Sequence, residues 1–240
     1  MRPRPESTFA GLGELRALDP KRIQHFWRSV ERYAPGATVR ASLSGVRRLI
    51  VVSGWACETR ILRDGRRQIF GFVLPGDPID VESSSNIGQR ALIALTRLEV
   101  VDAEVVSGGD SIEAANSARA IERAIRQREE RLFDQMVRIG RLTAKERVLN
   151  MLLELYDRLD AVGMVKERTF RIPITQEMFA DALGLSIVHI NRTLQQLRRE
   201  GLIVLKAGSV TLPHLDRVAS AACYPFSWSG PEGTMESAAG

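Results

Sequence analysis

His189, Arg192, Gln196 and Arg199 recur at spacings of three and four within IVHINRTLQQLRR, which sets them along one side of a helix. None belongs to a metal-ligand cluster or a nucleophile–base pair. Their chemistry is hydrogen bonding to flat acceptors and to phosphate oxygens. On the opposite side Ile190, Leu194 and Leu197 stand at i, i+4 and i+7, an apolar stripe that needs a core beneath it.

The elements around this stretch are those that would present it. Thr175 is a candidate N-cap for a preceding short helix, with Glu177 in its first turn and Phe179, Ala180 and Leu183 on an apolar side. Gly184 supplies the break, because glycine takes positive φ without steric cost. Ser186 caps the second helix. Two helices joined by about 3–4 residues form a helix-turn-helix, whose second helix enters a DNA major groove. Any two amphipathic helices around a glycine share this pattern with a merely solvated outer face, so the residues after Arg199 carry the decision. Leu202 to Leu205 and Ser209 to Leu212 are β-rich runs joined by Lys206-Ala207-Gly208, the hairpin of a winged helix, with Lys206 placed to meet a phosphate.

The remainder of the chain narrows the reading. A net charge of +5 over 240 residues is compatible with a polyanionic partner without demanding one. Residues 141–217 hold 12 Lys/Arg against 9 Asp/Glu, so affinity for DNA would come from placement rather than bulk charge. Cys57 and Cys223 are too far apart for a metal motif or a disulfide framework, which suits a reducing cytoplasm. No apolar run approaches the roughly 18 residues of a membrane span, and the N-terminus has no signal-peptide core.

Along the chain, residues 1–20 read as a flexible tail and Lys21 to Tyr33 as a helix. Short β-rich runs come next at Arg48–Ser53, Trp55–Leu62, Gln68–Leu74, Arg90–Ala94 and Leu98–Val106, with Asp64-Gly65 marking a hairpin turn. Such spacing predicts an antiparallel sandwich or barrel over 21–108. Helical periodicity takes over at 109–140, where Ile121, Ile125, Leu132, Met136 and Ile139 make a narrow seam suited to a two-stranded, dimer-forming contact. Thr143 to Leu159 is a further helix, apolar at Val148, Leu152, Leu155 and Leu159, within a DNA-binding unit of 141–224. Residues 225–240 read as a disordered tail.

Barrel, long helix and winged helix-turn-helix succeed one another as in the Crp/Fnr family of bacterial transcription regulators. The resemblance is also local. Leu62-Arg63-Asp64-Gly65-Arg66-Arg67-Gln68-Ile69 and Phe72-Val73-Leu74-Pro75-Gly76-Asp77 look like that family's sensor hairpin and turn. Arg138-Ile139-Gly140-Arg141-Leu142-Thr143-Ala144-Lys145-Glu146-Arg147-Val148 resembles its junction, and Leu183-Gly184-Leu185-Ser186 through Ile190-Asn191-Arg192-Thr193-Leu194 its recognition helix. The pattern is similar to the FixK-like branch. It implies an α+β chain: an N-terminal antiparallel jelly-roll barrel like a cyclic-nucleotide-binding domain, a long dimerisation helix, and a C-terminal winged helix-turn-helix. It implies further a homodimeric, sequence-specific regulator, commonly an activator, with double-stranded DNA, a second copy and RNA polymerase as partners.

Carried over residue by residue, Arg192 matches the arginine that reads a guanine, by a fork to O6 and N7. Where the family often has a Glu, Val188 stands, able to touch a thymine methyl; His189 or Asn191 could add polar base contacts, though Asn191 suits a phosphate equally. Thr175, Ser186, Thr193, Arg199 and Lys206 are expected on phosphates. The places that hold a cyclic nucleotide's phosphate read Asp80-Val81 and Gly88-Gln89, which lack the required guanidinium fork, with Arg90 two residues out of register. Two distant cysteines cannot hold an iron–sulfur cluster, and His25 is the lone histidine ahead of the DNA-binding unit. No cofactor is therefore expected. Two rivals remain: a cupin-like barrel enzyme, disfavoured because residues 36–108 contain no histidine, and a protein-interaction module with a vestigial helix-turn-helix.

Overall fold

The computed structural model describes residues 26–40, 46–82, 90–108 and 112–223. The tails, 41–45, 83–89 and 109–111 lie outside them, and with them His25, Gly88 and Gln89. Eight strands come first: β1 (Glu31–Tyr33), β2 (Thr38–Val39), β3 (Val46–Ser53), β4 (Ala56–Ile61), β5 (Arg67–Val73), β6 (Pro78–Glu82), β7 (Ala91–Ala94) and β8 (Leu98–Asp102). They form two four-stranded antiparallel sheets, ordered β1-β8-β3-β6 and β2-β7-β4-β5. Among the described residues no ladder joins the sheets, so the unit is a two-sheet jelly roll rather than a closed barrel.

The inner faces share a core of Val39, Leu49, Val51, Val73, Ile79, Leu92, Leu98 and Val100. Both outer faces are covered as well. Ile50, Val52 and Val101 pack under the helices next in the chain, while Trp55, Cys57, Ile69, Phe72 and Leu74 join the core of the C-terminal unit. Burial on both sides is why β3 reads as one apolar run instead of an alternation. Gly54 turns β3 into β4 at φ 87°, and a Cβ there would meet Arg97 O at 2.2 Å. Only glycine fits.

Two sequence expectations change at the sheet edges. Of the helix expected over Lys21 to Tyr33, the described residues show 26–28; Glu31–Tyr33 instead pairs with β8, tied by Arg32–Glu99 at 3.0 Å and Arg47–Glu31 at 2.9 Å. The run Leu98–Val106 stops as a strand at Asp102, whose carboxylate accepts from Glu104 N–H and caps α1 (Ala103–Ser107). β6 is hidden in the sequence, since Pro-Gly-Asp-Pro reads as a stop. Proline is tolerated as the first residue of an edge strand, and Pro78 occupies that place.

The long helix α2 (Ile112–Arg141) has 30 residues, about 45 Å at 1.5 Å per residue. α3 (Ala144–Ala161) opens on a capping box, with Thr143 N–H donating to Glu146 Oε2 at 2.7 Å and Glu146 N–H to Thr143 Oγ1 at 3.4 Å. Then come β9 (Thr169–Arg171), α4 (Gln176–Leu183), α5 (Ile187–Arg199), β10 (Val204–Lys206), β11 (Ser209–Thr211) and α6 (Leu215–Ala221). The sheet β10-β11-β9 carries the hairpin. α3, buried at Val148, Leu149, Leu152, Leu153, Leu155 and Leu159, is the platform on which α4 and α5 rest.

Candidate nucleic-acid interface

Local chemistry builds the turn between α4 and α5. Met178 N–H donates to Thr175 Oγ1 at 3.2 Å, and His189 N–H to Ser186 Oγ at 3.2 Å, so both hydroxyls are N-caps. Gly184 sits in the left-handed region (φ 63°, ψ 38°) and closes α4 by donating to Ala180 O. The carbonyls left over at the end of α4 are taken from outside the motif. Arg147 Nη1 donates to Leu183 O at 3.0 Å and Gln135 Nε2 to Ala182 O at 2.6 Å. Arg67 pairs with Asp181 at 2.6 Å, fastening α4 to β5. Sequence reasoning misses these clamps because their partners lie 36 to 114 residues away.

α5 divides cleanly. Ile190, Thr193, Leu194 and Leu197 are buried. Val188, Arg192, Gln195 and Arg199 are exposed and spaced i, i+4, i+7 and i+11, one straight ridge along the outer side. His189 and Gln196 flank it on one side, Asn191 and Arg198 on the other. Among the described residues the Arg192 guanidinium has no ion-pair or hydrogen-bond partner. Gln196 is held by Glu200 at 2.8 Å, and Glu200 by Lys145 at 2.5 Å. Gln195, not singled out by the sequence, falls between Arg192 and Arg199, and its amide can bond an adenine edge.

One expected phosphate contact is corrected. Thr193 is 4% exposed, because its position lies 40° to 60° from Leu197 and Ile190 of the apolar stripe. Thr175, Ser186, Arg199 and Lys206 are exposed. The hairpin pairs Lys206 with Ser209 around Ala207 and Gly208, both at positive φ (48° and 75°), a tight two-residue turn that projects Lys206 at its edge.

The seam on α2 is also redistributed. Ile121 is 5% exposed and Ile125 half-buried, both packed with Ile50, Val52 and Val101 on the outer face of the first sheet. Ile139 lies near Gly184. The apolar face left open is Leu132, Phe133 (62% exposed), Met136 (69%) and Val137. The face needing cover moved one step around the helix because the sheet took the upstream positions.

In the jelly roll, Asp80 is paired with Arg48 at 2.7 Å and Arg90 with the buried Glu58 at 3.5 Å. Cys57 is buried and burial pushes its thiol up to about 11, far from a thiolate at neutral pH. Cys223 is exposed and its Sγ donates to Glu146 Oε1 at 3.4 Å, which raises its pKa as well. A thiol reagent applied to the native chain should therefore titrate one sulfur slowly, with the second appearing only on unfolding; fast modification of both would show that the Trp55–Cys57 face is open. Among the described residues no cluster of His, Cys, Asp and Glu could hold a metal, and no helix is long and apolar enough to cross a membrane.

Comparison with known proteins agrees with this geometry. The Crp-like helix-turn-helix domain matches residues 146–220. The nitrogen fixation regulation protein FixK of Bradyrhizobium diazoefficiens is 32% identical over 229 residues, spanning 90% of each chain. The transcriptional activatory protein AadR of Rhodopseudomonas palustris is 32% identical over 165 residues, covering 65% of this chain and 64% of its own. The structure of FixK2 from Bradyrhizobium japonicum superposes with a TM-score of 0.63 at 26% identity, over 80% of this chain and 96% of that one. With an exposed ridge on a capped helix, a wing, a jelly roll ahead of a long helix, and kinship to FixK along most of its length, the chain belongs to the FixK-like branch of the Crp/Fnr family of DNA-binding transcription regulators.

Proposed function

We propose that the chain works as a homodimer that reads a pseudo-palindromic operator, one α5 per half-site. The observation that carries this is the ridge Val188–Arg192–Gln195–Arg199, turned away from the core with Arg192 uncommitted among the described residues. Arg192 takes a guanine by its fork, and Val188 a thymine methyl. His189 and Asn191 border the same groove. Thr175, Ser186, Arg199 and Lys206 sit on phosphates and set register without carrying sequence information. The dimer contact is the open face of α2 around Leu132 and Met136, extended to Phe133 and Val137. The labour divides between a sensor-like unit at 21–108, the helix at 109–140 and the DNA-binding unit at 141–224.

Regulation on this reading is activation, through a contact with RNA polymerase in the cytoplasm, as the name of the AadR relative suggests by analogy. The jelly roll takes no cyclic nucleotide: Asp80 stands where the phosphate would lie, already engaged by Arg48. No catalytic role is assigned to any residue.

Selection of bound sequences from a randomised duplex pool tests the reading. The wild-type chain is expected to enrich two inverted half-sites, and Arg192→Ala to cost about 1–3 kcal/mol while relaxing preference at one base pair per half-site. Equal weakening on every sequence would make Arg192 a phosphate contact. An interaction module with a vestigial motif would show no steep fall of DNA affinity with salt.

A further inference from the structure

Where the second sheet, α2 and α3 meet, a small cavity of about 30 Å³ is lined by charged side chains from all three. The charges are connected. Arg128 and Arg90 both reach Glu58; Arg131 and Arg158 both reach Asp77, Arg131 at 3.3 Å; Arg158 and Arg138 both reach Glu154, at 2.9 and 2.7 Å. The cavity's own lining thus holds four guanidinium groups, Arg128, Arg131, Arg138 and Arg158, against three carboxylates, Glu58, Asp77 and Glu154, one negative charge short. Two exposed groups of opposite charge, Arg90 on Glu58 and Asp134 beside Arg131 and Arg138, lie outside that lining and offset each other.

Such an imbalance is costly where water is scarce, because an uncompensated buried charge loses far more hydration than a paired one. Two local features bear on where the deficit falls. Arg158 Nε is buried without a hydrogen-bond partner, although the rest of that guanidinium is engaged by Glu154, Asp77 and Phe72 O. Arg131 has a single ion-pair partner, and burial together with the neighbouring Arg158 pulls its pKa below the usual arginine value.

We propose that this junction is a binding site for a small oxyanion of phosphate or carboxylate type, held between Arg131 and Arg158. The chemistry fits: a guanidinium presents a planar fork of donors that matches two oxygens of such an anion, and the contact gains strength in a partly desolvated place. Size limits the choice. A water needs roughly 10–15 Å³, so the space holds about two waters, which a compact oxyanion would displace and which leaves no room for a nucleoside. The location differs from the place matched to the family's nucleotide phosphate, which falls at Asp80-Val81 and the segment after it. An anion here would touch the long helix through Arg131 and the C-terminal unit through Arg158, whose guanidinium is itself bonded to Phe72 O in the second sheet, so its occupancy would stiffen the joint between all three.

Calorimetric titration of the full-length protein with inorganic phosphate, sulfate and acetate, against chloride at matched ionic strength, tests this. At least one oxyanion is expected to bind saturably at one site per chain and to raise Tm, while chloride does neither. The phosphate and carboxylate probes tell the two sources apart. Arg192→Ala should leave the binding intact, which separates the junction from generic anion contacts on the DNA-reading surface. Arg131→Gln should abolish it, and Arg131→Lys, which keeps the charge but loses the fork, should weaken it by roughly tenfold. No saturable heat with any probe, or binding unchanged in both Arg131 variants, would overturn the proposal; a fold lost in Arg131→Gln leaves Arg131→Lys to decide.

Discussion

A double substitution, Phe133→Asp with Met136→Asp, is expected to yield a folded monomer whose operator affinity falls by roughly 10²–10⁴-fold. Both side chains are among the most exposed apolar groups on α2 and contribute little to the chain's own core, so their loss should leave Tm of the protomer nearly unchanged. What disappears is the link between two reading helices. Each α5 alone meets one half-site, and the second contact then has to be made from solution rather than at the high effective concentration that a dimer supplies. Sedimentation equilibrium and fluorescence anisotropy on the same samples check the two halves of the expectation. A variant that stays dimeric would move the interface elsewhere on the molecule.

Arg138→Met is expected to lower the stability of the chain by about 1–3 kcal/mol, the range for a buried polar group left without its hydrogen-bond partner. Arg138 is 3% exposed and donates to Asn150 Oδ1 at 2.8 Å, to Glu154 Oε2 at 2.7 Å and to Gln135 Oε1. Its loss strands the carbonyl of Asn150 and leaves Glu154 to Arg158 alone. Gln135, freed on one side, is also the residue that holds Ala182 O at the end of α4. The damage therefore passes to the turn that sets α5. Urea denaturation measures the stability; a change within about 1 kcal/mol would mean that water replaces the guanidinium at little cost.

Legibility in the sequence tracks the range of the interactions. Thr175, Gly184 and Ser186 act on neighbours within a few residues, so the helix-turn-helix can be read from its caps alone, and the two-residue wing from Ala207-Gly208 between β-rich runs. Thr193 is misplaced by the sequence because a hydroxyl suggests a surface, whereas its position lies one step off the buried Ile190–Leu197 stripe. The α2 seam is half legible. Periodicity marks Ile121 and Ile125 as buried but cannot say whether a second chain or the jelly roll buries them, and here the outer face of β3 does. Strand β1 is hidden by helix-like spacing up to Tyr33, while its partners Leu98 and Glu99 lie more than sixty residues on. The arginine network is invisible for a related reason: in sequence, Arg131, Arg138 and Arg158 look like the solvated side of amphipathic helices, and only the fold brings Asp77 and Glu154 among them.

If two copies of one helix face enter the same side of a duplex, hydroxyl-radical footprinting of the wild-type protein on its selected operator shows it most directly. Two protected patches related by two-fold symmetry, with centres about 34–36 Å apart along the duplex, are the result expected. A single patch, or protection that Arg192→Ala leaves identical in position, extent and sequence preference, would contradict it.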